Sequence, residues 1–423
     1  MSRAHLRTVL ALAAVAVFQF DPAHTTNGYF SHAYGSAGKG VAGVGVALPQ
    51  DALSAADNPA GLAFVGARYD VGLSFFNPNR GYTVTGNPSG APGTFGLAPG
   101  HVDSRSKLFL VPHFGANWKV HDDNSIGLAV FGNGGMNTNY PVATFGGSSP
   151  TGVDLSQLFV AATYARALGA RKQHALGLSA IFAIQRFQIK GTEAFAAFSE
   201  DPAHVSNQGY DESLGVGWKL GYLVRPIPKL SLGASYQARI RMQAFDSYAG
   251  IFAEHGDFDI PATEAVGVAL RVAPKVVVAL DVSRIEYGEV RSIANPLVPN
   301  LFNAPLGSDD GGGFAWEDMT VFKLGVVVET AGPWTYRFGF STGNQPVTKG
   351  GVFPSIVAPA VVEEHYTFGF SRTLKRNAAF HAAFLRAPTK RVAGPNPLEA
   401  PGAQTIELQM DQWEFDLGFS WGR

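Results

Sequence analysis

The sequence predicts an all-β chain, a fourteen-stranded antiparallel transmembrane β-barrel with a small N-terminal plug. Three observations predict it. Apolar residues alternate with small or polar ones at period two in many segments, as in strands whose successive side chains face opposite sides. Tight turns alternate with long Gly-, Pro-, Ser- and Asn-rich connections, as in barrels with short periplasmic turns and long external loops. The composition is oily and sparsely charged. Of 423 residues, 46% are hydrophobic, 50 are Gly and 31 are Phe, and 15% are charged, against roughly 25% in soluble chains.

The same composition excludes several classes. Its hydrophobic content rules out intrinsic disorder. The absence of Cys removes disulfide scaffolds and Cys-ligated metal or iron–sulfur sites. A net charge of −1 gives no general drive toward nucleic acid. No cofactor, metal or nucleic-acid partner is expected.

Residues 1–26 read as a secretory signal. Arg3, His5 and Arg7 form a basic start, and the apolar run at 9–20 that follows is too short for a membrane-crossing helix of ~20 residues. Cleavage is expected near 23–26. Residues 27–65 do not alternate. They hold a Gly-rich stretch at 35–45 and short helical turns over 48–63 broken at Asn58-Pro59. Such a block suits a plug in the barrel mouth or an ordinary periplasmic extension.

Residues 66–423 carry the barrel. Strands are expected at 66–77, 104–120, 124–133, 153–168, 173–190, 210–225, 229–245, 259–273, 275–291, 314–330, 333–343, 361–375, 377–392 and 404–421. The last is the clearest: Trp413, Phe415, Leu417, Phe419 and Trp421 share one face, and Glu414, Asp416, Gly418 and Ser420 share the other. A soluble sandwich would bury an aliphatic face instead. Here Trp and Tyr sit near strand ends, as in the aromatic girdles of membrane barrels.

Several motifs carry no chemistry in this context. Residues 38–43 fit a dinucleotide-binding glycine pattern, but no βαβ unit surrounds them. The G-x-S-x-G matches at 339–343 and 418–422 ride on alternating strands, not on the strand-to-helix turn that a nucleophile elbow needs. Glu363-Glu364-His365 lacks the paired His of a zinc helix. No enzymatic activity is expected. An outer-membrane lipid-modifying enzyme would need a nucleophile with a base on an adjacent strand. A general porin for small polar solutes would lack the plug and carry more lumenal charge.

Asn27-Gly28-Tyr29-Phe30, Gly38-Lys39-Gly40, residues 47–52 and above all Asn58-Pro59-Ala60-Gly61 resemble the N-terminal hatch of FadL/TodX (OMPP1) outer-membrane transporters of long-chain fatty acids and aromatic hydrocarbons. The resemblance continues through Val111-Pro112-His113 and through 314–346 and 366–386. It implies an outer-membrane channel in which a hydrophobic molecule passes from external loops to an apolar lumenal pocket. The molecule then leaves sideways where the third strand kinks. The resemblance places that kink at Gly132, Asn133, Gly134 and Gly135, where closely spaced Gly also weaken a ladder. It matches Arg186 to a basic position that holds a carboxylate, a role a bidentate guanidinium can fill. Two positions depart from the pattern: Glu317 falls where a second basic residue is expected, and Gly132 where a hydroxyl is. An uncharged or aromatic substrate therefore stays open. Phe131, Tyr140, Phe182 and Phe187 are candidate pocket-lining residues. The partners so implied are a hydrophobic solute, outer-membrane lipid and lipopolysaccharide, and the barrel-assembly machinery, with the chain acting as a monomer.

Overall fold

A computed structural model describes residues 26–422, so the signal reading of 1–26 lies essentially outside it. Seventeen strands form one sheet. Three are only two to four residues long: Thr26–Asn27, Phe30–Ser31 and Gly100–Asp103. The other fourteen make the barrel wall. They are Arg68–Thr85 (β1), Phe109–His121 (β2), Asn124–Asn139 (β3), Gly152–Leu168 (β4), His174–Lys190 (β5), Asp211–Ile227 (β6) and Leu230–Gln237 (β7), then Thr263–Ala273 (β8), Val276–Ile285 (β9), Met319–Glu329 (β10), Trp334–Gly343 (β11), Glu364–Thr373 (β12), Ala378–Pro395 (β13) and Thr405–Gly422 (β14). β14 pairs antiparallel with β1 from Thr405↔Thr85 to Gly422↔Arg68, so the sheet closes on itself. Closure is what allows a sheet to sit in hydrocarbon with its backbone groups paired.

The alternation sorts side chains as the sequence predicts. On β5 and β6, Leu176, Leu178, Phe182, Val216, Trp218, Leu220 and Tyr222 are exposed. On β14, Phe415, Phe419 and Trp421 are exposed, whereas Glu414, Asp416 and Ser420 are buried. Greasy groups face out and charged ones face in, the reverse of a soluble protein.

Seven strands (β1, β2, β3, β7, β8, β9 and β10) depart from their expected bounds by four or more residues at one end, β1 and β7 the most. β1 runs on to Thr85 because its outer half gains partners in β14 and in Gly100–Asp103. β7 stops at Gln237, eight residues before the expected 245. Beyond it the chain bends inward: Ile240, Met242, Phe245, Phe252, Phe258 and Ile260 are all buried. Gly215 and Gly217 make room for the bend, since a Cβ on either would lie 2.3–2.5 Å from Met242 or Ile240.

Residues 27–65 pack inside the barrel. Asn58 is fully buried; its Nδ2 donates to Val46 O (2.7 Å) and to Tyr222 O on β6 (3.0 Å), and its Oδ1 accepts from Ala60 N (3.0 Å). Pro59 starts a 3-10 turn, Pro59–Ala63, in which Ala60 and Gly61 are also buried. The turn can approach the wall only because β5 and β6 offer Gly177 and Gly221. A Cβ there would lie 2.3 Å from the Pro59 carbonyl carbon or 2.0 Å from Asn58 Oδ1.

Candidate functional site

The polar inner wall grips this plug largely through its backbone. Asp281 on β9 accepts from the N–H groups of Gly45 (2.8 Å) and Val46 (2.9 Å), and Asp70 on β1 from that of Ala52 (2.9 Å). Lys323 on β10 donates to His32 O (3.0 Å) and Gly43 O (3.3 Å), and Asn117 on β2 to Leu62 O (3.0 Å). In the reverse direction, the plug's Lys39 donates to Ser74 on β1 (2.7 Å) and pairs with Glu414 on β14. Burial pushes the Asp57 carboxyl up to about 6, against the pull of the Lys323 and Lys219 ammonium groups. These groups face a cavity of mixed polar and apolar lining between the plug and the wall, about 610 Å³ with its open mouth included, which also meets Asn133 and Gln237.

The wall is interrupted at β3. Its ladder with β2 runs from Asn124↔His121 to Val130↔Phe114 and ends there. Pro112, with no N–H to give, stands two residues past the last pair. Residues 109–113 stay paired to β1, while, among the described residues, 131–139 have no ladder partner in β2. On the other side, the pairing of β3 with β4 slips by one residue between Gly132 and Gly134, leaving Asn133 as a bulge. Asn133 donates to Gln157 (2.9 Å) and accepts from Tyr34 (3.0 Å). The free edge of β3 is taken up by the N-terminal segment: Gly134 pairs with Phe30, and Gly135 N donates to Tyr29 O (2.9 Å). Only a glycine fits at 134, where a Cβ would lie 2.1 Å from Tyr29 O.

Above this junction the lumen is aromatic. Tyr29 meets Phe30 and Tyr287 at ring-centroid distances of 5.2 Å, and Phe258 and Trp316 at 6.1 Å. Farther out, the long loops line a cavity of about 580 Å³, its open mouth included, whose described lining residues carry no charge. Phe145, Phe195 and Phe353 line it and meet one another at 5.3–6.1 Å. Phe252 and Phe314 also line it, at the end nearest the aromatic cluster.

The candidate residues separate into two groups. Phe131, Tyr140 and Phe187 are buried inside. Phe131 lies beside the kink, against Tyr34 (4.7 Å) and Phe159 (5.6 Å). Phe187 backs the cavity wall at Phe252 (4.8 Å), and Tyr140 donates to Ile356 O (2.7 Å) beneath a cavity-lining loop. Arg186 and Phe182 are not in the lumen. They share the outward face of β5 with Leu176 and Leu178, while Gln185 and Phe187 point in. The Arg186 guanidinium lies 3.5 Å over the Tyr210 ring. Its expected place in the lumen is corrected by strand parity: an even-numbered residue of β5 faces lipid. The cavity-lining Phe145, Phe195 and Phe353 were not among the candidates, although bulky aromatics in Gly- and Pro-rich loops are a signal that could have found them.

A closed barrel with a lipid-facing apolar exterior and a plugged interior is an outer-membrane transport channel. The chain belongs to the outer membrane protein transport protein family (OMPP1/FadL/TodX), whose model matches residues 22–396. Its fold is shared by a Pseudomonas aeruginosa FadL homologue (15% identity, 93% of this chain and 99% of that one, TM-score 0.70). It is shared too by the P. putida toluene transporter TodX (17%, 93% and 99%, 0.66) and the Ralstonia pickettii toluene transporter TbuX (16%, 92% and 98%, 0.60). No match is found among curated proteins. The family and these neighbours are transport channels, not enzymes.

Proposed function

We propose that the chain carries uncharged, hydrophobic, aromatic-sized compounds passively across the outer leaflet. The external cavity captures the solute, the aromatic cluster receives it, and the break between β2 and β3 releases it sideways into the bilayer. The N-terminal segment acts as a hatch that holds the break shut. The observation that carries this reading is the junction at Gly134, where one backbone bridge joins the kinked strand to Phe30 of the plug. Moving the segment and opening the wall are then one event. The driving force is partition of apolar area into hydrocarbon, ~25 cal/mol per Å². A neutral solute is favoured over a fatty acid by the uncharged cavity lining and by the outward position of Arg186. The toluene transporters TodX and TbuX, which share the fold, agree with this. The chain is read as a monomer that contacts lipopolysaccharide and depends on the barrel-assembly machinery.

Deleting Asn133 tests the lateral exit. The deletion removes the bulge, lets β3 run in register with β4 throughout, and straightens it toward β2. Toluene uptake by cells expressing the variant should fall to the level of cells without the channel, while toluene still binds the purified protein. Unchanged uptake defeats the lateral route.

A further inference from the structure

We propose that Phe258 is an internal gate that sets the size of solute passing from the external cavity to the cavity between plug and wall, which Phe30 lines beneath Tyr29. The inference rests on the transport reading above and adds a specificity-determining residue to it. Two rings close the way between the two spaces. Phe258 meets the cavity-lining Phe252 at 4.9 Å and Tyr29 of the plug at 6.1 Å. Trp316 bridges in the same manner from the cavity-lining Phe314 (5.8 Å) to Tyr29 (6.1 Å). Both are nearly sealed, at 1% and 2% exposure. Ring centroids at these spacings are in direct contact, so a solute that follows this line of rings must displace one of the two.

The two rings are held differently. Trp316 is anchored through its side chain, with Nε1 donating to Ser355 Oγ (3.0 Å), and its backbone N donates to Ile293 O (3.1 Å). The Phe258 ring has no polar atom to anchor, and its bonds are all in the backbone and flanks. Gln185 on β5 donates to Phe258 O (2.8 Å), and Ser292 Oγ donates to Asp257 O. Asp259 accepts from Met242 N (2.7 Å) and Arg239 Nε (2.8 Å). The backbone is fixed, so the ring can yield only by turning about its side-chain bonds against its packed neighbours, with the cavity one ring away. A built turn aims it. Glu254, His255 and Gly256 take φ of 56°, 58° and 104° in succession, a left-handed run that residues with a Cβ seldom adopt. That run folds the loop back so that Phe252 and Phe258 meet.

The test compares initial uptake of radiolabelled toluene and phenanthrene by cells expressing the full chain, its Phe258 variants, or no channel. Phe258→Ala should raise the phenanthrene-to-toluene rate ratio by about tenfold (about 1.4 kcal/mol of barrier). Phe258→Trp should lower that ratio below the parent's, and Phe258→Leu should fall between Ala and parent. Heat-modified gel mobility reports barrel folding. If the Ala variant does not fold, the Leu and Trp variants decide. Channel-dependent uptake with the same ratio in every folded variant overturns the gate and leaves the transport reading standing. Parent uptake equal to that of cells without the channel removes both.

Discussion

Asn58 is where the hatch reading meets its most direct test. The side chain is wholly buried and makes three hydrogen bonds, one within its own turn and two that tie the turn to Val46 and to the β6 carbonyl of Tyr222. Asn58→Ala removes all three and leaves two carbonyls and one N–H to be satisfied elsewhere. Only the bond to Tyr222 O crosses from plug to wall; the other two hold the plug's own fold, so at a net ~1 kcal/mol for each bond the docked, folded plug loses about 3 kcal/mol relative to a plug that is released and unfolded. That is roughly a hundredfold in the equilibrium between those two states, at 1.4 kcal/mol per decade. The wall does not depend on these bonds: the seam between β14 and β1 and the ladders of β5 with its neighbours contain none of them. Hydrogen exchange in detergent should therefore show residues 36–63 exchanging about a hundredfold faster while the strands keep their protection. Asn58→Asp keeps the size and the acceptor but sets a carboxylate against two carbonyl oxygens, so its effect should be at least as large. Plug protection equal to the parent's in both variants would refute the claim that this residue pins the hatch.

Two further outcomes follow from the site. Arg186→Ala should leave the affinities for both a fatty acid and toluene within about twofold of the parent (under ~0.5 kcal/mol), measured by equilibrium binding to the purified protein; selective loss of the fatty acid would return Arg186 to the lumen. Asp57 ties plug docking to pH. Its carboxyl is raised by burial from 3.8 to about 6, so the docked plug keeps a proton that the undocked plug gives up nearer 3.8. This contribution to docking is complete below the lower value and is lost as pH rises through the higher one. Exchange of plug amides, corrected for intrinsic rate, should quicken across that window in the parent and should not in Asp57→Asn.

Much of the wall was legible in the sequence because a strand in lipid must alternate, and alternation is local. Each of the fourteen strands overlaps its expected span, and seven have an end shifted by four to eight residues. The misjudged end of β7 is instructive. Ile240 and Met242 continue the apolar alternation past Gln237, but they pack inward over Gly215 and Gly217 of β6. A period-two pattern cannot tell a strand that stays in the wall from one that leans into the barrel. Arg186 was misplaced for a different reason. Counting by twos from Leu178 and Phe182 puts it on the lipid face, whereas positional matching to relatives ignored that parity. The bulge at Asn133 could be suspected from three Gly in four residues, but the pairing of Gly134 with Phe30 joins positions about a hundred residues apart. The external cavity is built from several loops, and no local pattern reports their meeting. Its Phe residues look alike in sequence whether they cluster or not.

The lysine at position 39 has a consequence for how the cylinder is sealed. It bonds Ser74 on the first strand and Glu414 on the last, and lies 3.8 Å from Asp416, so it spans the join where the sheet meets its own beginning. A slip of one residue at that join would turn both acids toward hydrocarbon and strand the ammonium group without counter-charge. The leading stretch of the polypeptide thus favours the observed register of the final seam over its one-residue neighbours.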